Sequence, residues 1–178
     1  ALDPGVISLG SLSKPVWGGL RIGWLRSPVE LVNRLAALRA SIDLGGPVLD
    51  QLVAVSLIEQ LDDIATDRVL EIRDRRDALL GALARHLPQW VAQPPAGGLS
   101  LWVRLDAPVS TALSVVAAQS GVVLVPGSRF GVDGTLERFV RLPFALPSER
   151  LVDAVQRLAE VRPSLADGRV ATRQLVVA

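Results

Sequence analysis

Lys14 carries the only side-chain amine of this chain, a group that can act as a nucleophile. Lysine and arginine together number 19, and Lys14 is the only lysine among them. A lysine amine can lose its proton and form a Schiff base with a carbonyl compound, whereas an arginine guanidinium stays charged and holds carboxylates and phosphates. Lys14 lies in a glycine-rich loop seven residues before Arg21. This spacing indicates a reactive amine beside an anion site.

Two serines precede the lysine and complete the motif. Ser11 and Ser13 carry hydroxyl groups that can donate hydrogen bonds to a bound anion. An amine that attacks a carbonyl must be deprotonated, and for this it needs partial burial or a cationic neighbour. The alternative is a surface lysine near an arginine engaged in a salt bridge. The presence of a sole lysine in this spacing favours the chemical interpretation.

Hydrophobic periodicity predicts an α/β chain around this loop. Residues 6–11 and 20–24 have strand patterns on either side of it. Ser27-Pro28-Val29-Glu30 has the form of a capping box and predicts the start of a helix with an apolar face at Leu31, Val32, Leu35, Leu38 and Ile42. Gly45-Gly46-Pro47 ends this helix, and we expect another to follow with Leu52, Val53, Val55, Ile58 and Leu61 apolar. Further along we expect helices over 66–87, 111–119 and 148–161, and strands over 99–103, 121–125 and 138–142.

Composition excludes several classes of function. A net charge of +1 gives no electrostatic reason for nucleic acid or membrane binding by this segment, and the arginines of residues 66–87 alternate with acids as on a solvated helix face. The chain has no cysteine and its only histidine is His86, so we expect no metal site. It shows neither a run of the roughly 20 apolar residues that a membrane span needs nor a signal peptide, and a cytoplasmic location is the default expectation.

Two other motif families fit poorly. Ser11-x-x-Lys14 matches the nucleophile motif of penicillin-binding proteins and β-lactamases, but those enzymes need a second lysine and place the motif at the start of a helix. The chain also lacks the glycine patterns of phosphate-binding loops and dinucleotide folds.

The segment Ser-Leu-Ser-Lys-(x)6-Arg-Ile-Gly-Trp, residues 11–24, resembles the signature of fold-type I, class I/II aminotransferases that depend on pyridoxal 5′-phosphate (PLP). In that family the lysine forms a Schiff base with the cofactor, and the serine and arginine hold its phosphate. The resemblance implies that Lys14 is the catalytic residue and that Ser11, Ser13, Lys14 and Arg21 bind the cofactor.

The resemblance continues to about residue 160. Pro94-x-x-Gly97-Gly98-x-x-x-Trp102 is similar to the strand that opens the family's small domain, and residues 125–130 are similar to its cofactor-side turn. Phe139-Val140-Arg141-Leu142 then matches the strand that carries the substrate-carboxylate arginine. The resemblance therefore implies that Arg141 binds the substrate, and a guanidinium suits this role because it grips a carboxylate with two hydrogen bonds. An ion pair with an acid of the small domain is the alternative for Arg141.

The family's organisation implies four segments. Residues 1–63 correspond to the end of the large domain with the cofactor lysine, in two strands plus helices, and residues 64–87 to a long connecting helix. Residues 88–164 correspond to a small C-terminal α/β domain, and residues 165–178 to a tail without a clear pattern. The family's acidic, asparagine and tyrosine ligands of the cofactor ring normally precede the lysine, and this chain contains no tyrosine. We therefore expect no transaminase activity from the chain alone.

Three functions are compatible with the resemblance. The first is an aminotransferase that moves amino groups between amino acids and keto acids, working as a homodimer. The second is the non-catalytic, effector-sensing domain of a MocR-type regulator of the GntR group, because the interval between Lys14 and Arg21 is similar to that subgroup's. In those regulators an upstream winged helix binds DNA. The third is a degenerate unit that serves folding or dimerisation.

Overall fold

The chain folds into two units, each with its own sheet. The computed structural model describes residues 5–43 and 45–166, and the side chains as far as Pro163. The units are Ala1–Val69 and Leu70–Ala178. The described residues form helices together with one two-stranded and one four-stranded sheet, which confirms the α/β class.

The first unit begins with an antiparallel pair of strands. Strands β1 (Ser8–Ser11) and β2 (Gly23–Arg26) pair from Ser8 opposite Arg26 to Ser11 opposite Gly23. Helices α1 (Val29–Arg39) and α2 (Val48–Glu59) follow, and the boundary between the units falls within α3 (Leu61–His86). The second strand was expected over 20–24 but begins at Gly23. The backbone before it forms a 3-10 turn at Gly18–Leu20 and then turns left-handed at Arg21, which prevents strand pairing there.

Helix α1 departs from its sequence prediction in two ways. The capping box does not form, because the Ser27 hydroxyl donates to the Pro28 carbonyl at 3.4 Å and Pro28 itself occupies the N-cap position without a side-chain hydrogen bond. The predicted apolar face is also not covered, since α1 has no buried residue. The periodicity defines a face that a neighbour is able to cover, but the described part of the first unit supplies no such neighbour.

The second unit is an antiparallel sheet with helices over its buried face. Its strand order is β3-β4-β6-β5, and its elements are β3 (Val91–Ala92), β4 (Ser100–Arg104), α4 (Ser110–Gln119), β5 (Val125–Pro126), β6 (Phe139–Pro143) and α5 (Ser148–Ala166). Alternate strand residues such as Leu101, Val103 and Val140 are buried, and they share one core with side chains of α3, α4 and α5. The intervening residues of β4 and β6 are exposed or half-buried on the opposite face.

Two boundaries of the second unit differ from prediction. A buried strand was expected over 121–125, but only Val125 and Pro126 pair with β6, and Val123 is 89% exposed. Helix α5 was expected to end at residue 161 but continues to Ala166, with Pro163 inside it. The predicted tail lies outside the described residues from 167 onward.

None of the helices in the described part of the chain combines the length and the apolar character that crossing a membrane requires.

Candidate functional site

The loop that carries the lysine is the connection of the β1–β2 hairpin. Its base is closed where the Leu12 amide donates to the Ile22 carbonyl at 3.1 Å. Leu12 is fully buried and Leu20 nearly so, and both pack with Ala54 of α2. The loop is therefore anchored at both ends by leucine side chains, which leaves the polar residues between them on a fixed backbone.

Ser11 organises the start of this loop. Its hydroxyl donates to the Ile22 carbonyl at 3.3 Å and accepts a hydrogen bond from the Ser13 backbone amide at 3.1 Å. The Val16 and Trp17 amides then both donate to the Leu12 carbonyl, at 3.0 and 3.2 Å. This folds residues 12–17 into a tight turn with Lys14 near its middle.

Lys14 and Arg21 are the two cations of this loop, and both are exposed. Within the described residues neither side chain forms a hydrogen bond or ion pair with the protein. Arg21 has φ 55° and ψ 22°, the left-handed conformation that costs a residue with a Cβ about 1 kcal/mol or more. Glycine would occupy this backbone position without strain.

Trp17 lies between these two cations in the sequence and covers the glycine stretch. A Cβ on Gly19 would come within 2.2 Å of the Trp17 ring, so the indole packs directly on the Gly19 backbone. Trp17 remains 67% exposed. The hairpin thus brings together four of the sequence-predicted site residues, namely Ser11, Ser13, Lys14 and Arg21.

The fifth predicted residue, Arg141, belongs to the second unit. It lies on the exposed face of β6 and pairs across the strands with Trp102 of β4. Its Nε donates to the Ser100 hydroxyl at 3.1 Å, and its Cζ is 6.0 Å from the centre of the Phe130 ring. Arg141 forms no ion pair with any acid of the described residues, so the alternative expected from the sequence is not the arrangement seen.

Aromatic rings surround Arg141 on this face. Trp102 stacks on Phe139 with ring centroids 5.4 Å apart and planes at 10°. The same indole meets Phe130 edge-on at 5.5 Å and 83°. Such stacked and edge-on pairs contribute about 0.5–1.5 kcal/mol each beyond the area they bury. These contacts hold Phe130, the ring beside Arg141, in one orientation.

A polar network fixes the turn that carries Phe130. This turn is a short 3-10 helix at Gly127–Phe130. Glu137 accepts hydrogen bonds from the Ser110 hydroxyl and the Thr111 amide, both at 3.0 Å, and from the Thr111 hydroxyl. The Thr111 hydroxyl also lies 2.8 Å from that of Ser128 in the turn. Partial burial raises the pKa of Glu137, but the hydrogen bonds from Thr111 and Ser110 outweigh it and hold the pKa below its ordinary value.

Ser100 and Glu137 are neighbours of Arg141 and of the Phe130 turn that were not predicted from the sequence, whereas Phe130 belongs to the turn predicted at residues 125–130. Strand alternation places Ser100 on the same face as Trp102, and this signal was present in the sequence. The pairing register that brings Ser100 to Arg141 was not, because it depends on how β4 and β6 meet. No cluster of acids or histidine in the described residues has a geometry suited to a metal ion.

The sequence of the chain matches a known protein family. Residues 2–158 match the family model "Aminotransferase class I and II". The chain belongs to the class I and II aminotransferase family. The family resemblance of the lysine motif is thereby confirmed, as is the expectation that the fold is that of the end of a PLP-dependent transferase domain.

Proteins named as aminotransferases are among those similar to this chain. Aromatic-amino-acid aminotransferase 1 of Thermococcus litoralis is 32% identical over 160 residues, which cover 87% of this chain and 38% of the relative. The crystal structure of LysN, the α-aminoadipate aminotransferase of Thermus thermophilus, superposes with a TM-score of 0.81 at 31% identity. That match covers 92% of this chain and 43% of LysN, whose structure holds N-(5′-phosphopyridoxyl)-L-leucine. The chain therefore spans about two fifths of the length of these relatives.

A regulator also appears among the similar proteins. The HTH-type transcriptional regulator NorG of Staphylococcus aureus is 28% identical over 153 residues, which cover 80% of this chain and 33% of NorG. The similar proteins thus include sequences from both functional classes that the lysine motif suggested.

Proposed function

We propose that this chain supplies the cofactor lysine and the carboxylate-binding arginine of a PLP-dependent aminotransferase. The whole protein would transfer amino groups between amino acids and keto acids. The observation that supports this most strongly is the hairpin loop, in which Lys14 and Arg21 belong to an anchored turn and have no protein partners among the described residues. The backbone of Arg21 adds to it, because a cation with a Cβ, rather than a glycine, occupies the left-handed position that ends the 3-10 turn.

The residues of the loop fit PLP. The cofactor needs an amine to hold its aldehyde carbon and a cationic group for its phosphate, and Lys14 and Arg21 are the two cations of this turn. The Ser13 hydroxyl is available as a further donor from the same turn, and the Ser11 hydroxyl becomes one when it exchanges the Ile22 carbonyl for the phosphate. When bound, PLP acts as an electron sink for the bonds to the α-carbon of an amino acid.

The side chains of the chain itself have three tasks in this reaction. Lys14 would hold the cofactor through its Nζ, and the same Nζ would move a proton at the substrate α-carbon. Arg21, with Ser11 and Ser13, keeps the phosphate in place. Arg141 orients the substrate through its α-carboxylate, since a planar guanidinium can donate two parallel hydrogen bonds to it.

A second function is favoured by a separate observation. NorG, a transcriptional regulator, matches 80% of this chain. In that case Lys14, Arg21 and Arg141 bind the cofactor or an amino acid as an effector, without turnover, and an upstream winged helix binds DNA. The same site residues serve both functions, so the difference lies in the rest of the protein.

We further propose that the whole protein is a cytoplasmic homodimer. Helix α2 supports a subunit or domain interface, because large apolar side chains remain exposed along it, namely Val48, Leu49, Leu52, Val53, Val55 and Ile58. A soluble protein rarely leaves a contiguous apolar patch of this kind open to solvent. Association of the complete domains would cover it.

The cofactor proposal is tested by trapping the modified lysine. The longest open reading frame that encodes this chain is expressed, incubated with PLP, reduced with borohydride and digested. We expect the cofactor mass on the peptide that contains Lys14, and its loss in Lys14→Arg, which keeps the charge but removes the amine. The matched control, Arg26→Lys, offers a second amine on β2 and should remain unlabelled there. Labelling that is absent from Lys14 in the wild type contradicts the proposal.

The enzyme and the regulator are separated by two measurements on the same protein. An aminotransferase converts an amino acid and a keto acid in steady state, and its upstream sequence encodes the remainder of a large domain. A regulator encodes a winged helix upstream and binds an operator with an affinity that changes when PLP or an amino acid is added. A protein with cofactor on Lys14, no turnover and effector-dependent DNA binding is a regulator.

A further inference from the structure

We propose that Ser100 is a positioning residue for Arg141, and that it restricts this guanidinium to end-on binding of a carboxylate. The inference rests on the proposed function, which gives Arg141 its substrate role. It adds a residue and a binding mode that the resemblance to aminotransferases does not specify.

The strand register brings Ser100 to Arg141. Trp102 on β4 pairs directly with Arg141 on β6, and Ser100 precedes Trp102 by two residues on the same strand. Side chains two residues apart share a face of a sheet, and diagonal neighbours across antiparallel strands are within reach of a long side chain. Ser100 therefore contacts Arg141 from β4, and the contact distance from Nε to the hydroxyl oxygen is 3.1 Å.

This contact occupies one of the two edges by which an arginine grips an anion. A carboxylate can bind side-on through Nε and one terminal nitrogen, or end-on through Nη1 and Nη2. Because the Ser100 hydroxyl accepts from Nε, the side edge is taken. The end edge has no protein acceptor among the described residues.

Phe130 limits the remaining freedom of the guanidinium. Its ring centre is 6.0 Å from the Arg141 Cζ, at the outer range of a cation–π contact, and its own position is held edge-on by Trp102. With Nε bonded on one side and a ring beside it, the side chain loses much of its rotational freedom before substrate arrives. Such preorganisation lowers the entropic cost of binding.

The test compares Ser100→Ala, Ser100→Thr and the control Ser114→Ala in the longest open reading frame that encodes this chain. Ser114 is a matched control because its hydroxyl is also hydrogen-bonded within the protein, to the Thr111 carbonyl at 2.7 Å, but within α4. Amino acid affinity is measured by titrating the visible absorbance of the PLP-loaded protein, and KM and kcat are measured where the protein turns over. Thermal unfolding is followed for each variant.

We expect Ser100→Ala to weaken amino acid binding about five- to tenfold, which corresponds to the net contribution of one ordinary hydrogen bond. Where there is turnover, KM should rise by that factor while kcat stays within about twofold, since ground-state and transition-state binding weaken together. Ser100→Thr keeps the hydroxyl and should restore affinity, and all three variants should melt at the wild-type temperature.

A second readout does not need substrate. In the 178-residue chain, the Nε–H resonance of Arg141 should exchange slowly with water in the wild type and in Ser100→Thr, and rapidly in Ser100→Ala. Equal amino acid affinity in wild type and Ser100→Ala, with cofactor present on Lys14, overturns the role of Ser100 and leaves the proposed function intact. A wild type that takes up no PLP at Lys14 overturns both.

Discussion

The two units of this chain differ in how many of their apolar side chains are buried. In the second unit, side chains from three helices and the sheet form one continuous core that includes Trp90 and Phe144. In the described part of the first unit, the buried cluster consists of Leu12, Leu20 and Ala54. Hydrophobic burial is the main driving force of folding, so the second unit has its own source of stability and the first depends on surfaces that other residues must cover.

Their helices show the same contrast. Helix α5 is amphipathic, and its apolar side chains Leu151, Val155 and Leu158 are buried in the core of the second unit. Helix α2 is apolar on nearly every side, and among its residues only Ala54 is buried. A helix that is hydrophobic all round belongs inside a larger protein. The loop that carries Lys14 therefore packs on a helix whose apolar faces are uncovered, whereas Arg141 lies on a sheet that has its own core.

The largest effect is expected when the two units are expressed as separate fragments. Residues 61–166, which keep α3 whole, should fold alone with a cooperative thermal transition and an unfolding free energy on the order of 5 kcal/mol or more. Residues 1–60 should lack dispersed amide resonances and aggregate, because their apolar helix faces are uncovered. Circular dichroism melts and amide NMR spectra of the two fragments check this. Cooperative folding of residues 1–60 would contradict the inference that the first unit depends on surfaces outside it.

A smaller effect tests how tightly the second unit is packed around the Phe130 turn. A Cβ on Gly127 would lie 2.2 Å from the Leu136 carbonyl oxygen and 2.5 Å from that of Phe139. Gly127→Ala should therefore destabilise residues 61–166 by about 1–3 kcal/mol, as overpacking does elsewhere. Gly97→Ala is the control, because a Cβ there meets nothing within 4 Å. Urea unfolding measures the free energy of unfolding of both variants. Equal values would show that the backbone around residue 127 moves to accommodate the added Cβ at little cost.

The smallest expected effect concerns pH. The pKa of Glu137 is lowered in the folded protein, so its carboxylate contributes stability above the pKa that it has in the unfolded chain. That contribution is lost as the pH falls through the lower, folded-state pKa. Residues 61–166 should lose stability on acidification, and Glu137→Gln should flatten this dependence. Urea midpoints between neutral and acidic pH check the slope, and an unchanged slope in Glu137→Gln would assign the dependence to other carboxyl groups such as Asp106.

Sequence periodicity predicted which helices and strands exist more accurately than it predicted where each begins and ends. It predicted α4 and α5 because each has an apolar stripe that the sheet covers. It failed at β2, where the left-handed Arg21 interrupts the strand pattern, and at residues 121–124, which are apolar but unpaired. Apolar runs of this length are compatible with either a strand or an extended connection, and only the pairing partner distinguishes them.

The sequence by itself determined the family, the lysine motif and the residue types of the site, since Lys14, Ser11 and Arg21 are close along the chain and their chemistry depends on spacing within one loop. Only the tertiary structure decided which side chain meets Arg141. Ser100 precedes it by 41 residues, and their contact exists because β4 and β6 pair in one register. Tertiary structure also decided which apolar faces are covered, because periodicity defines a face but does not supply the surface that packs against it.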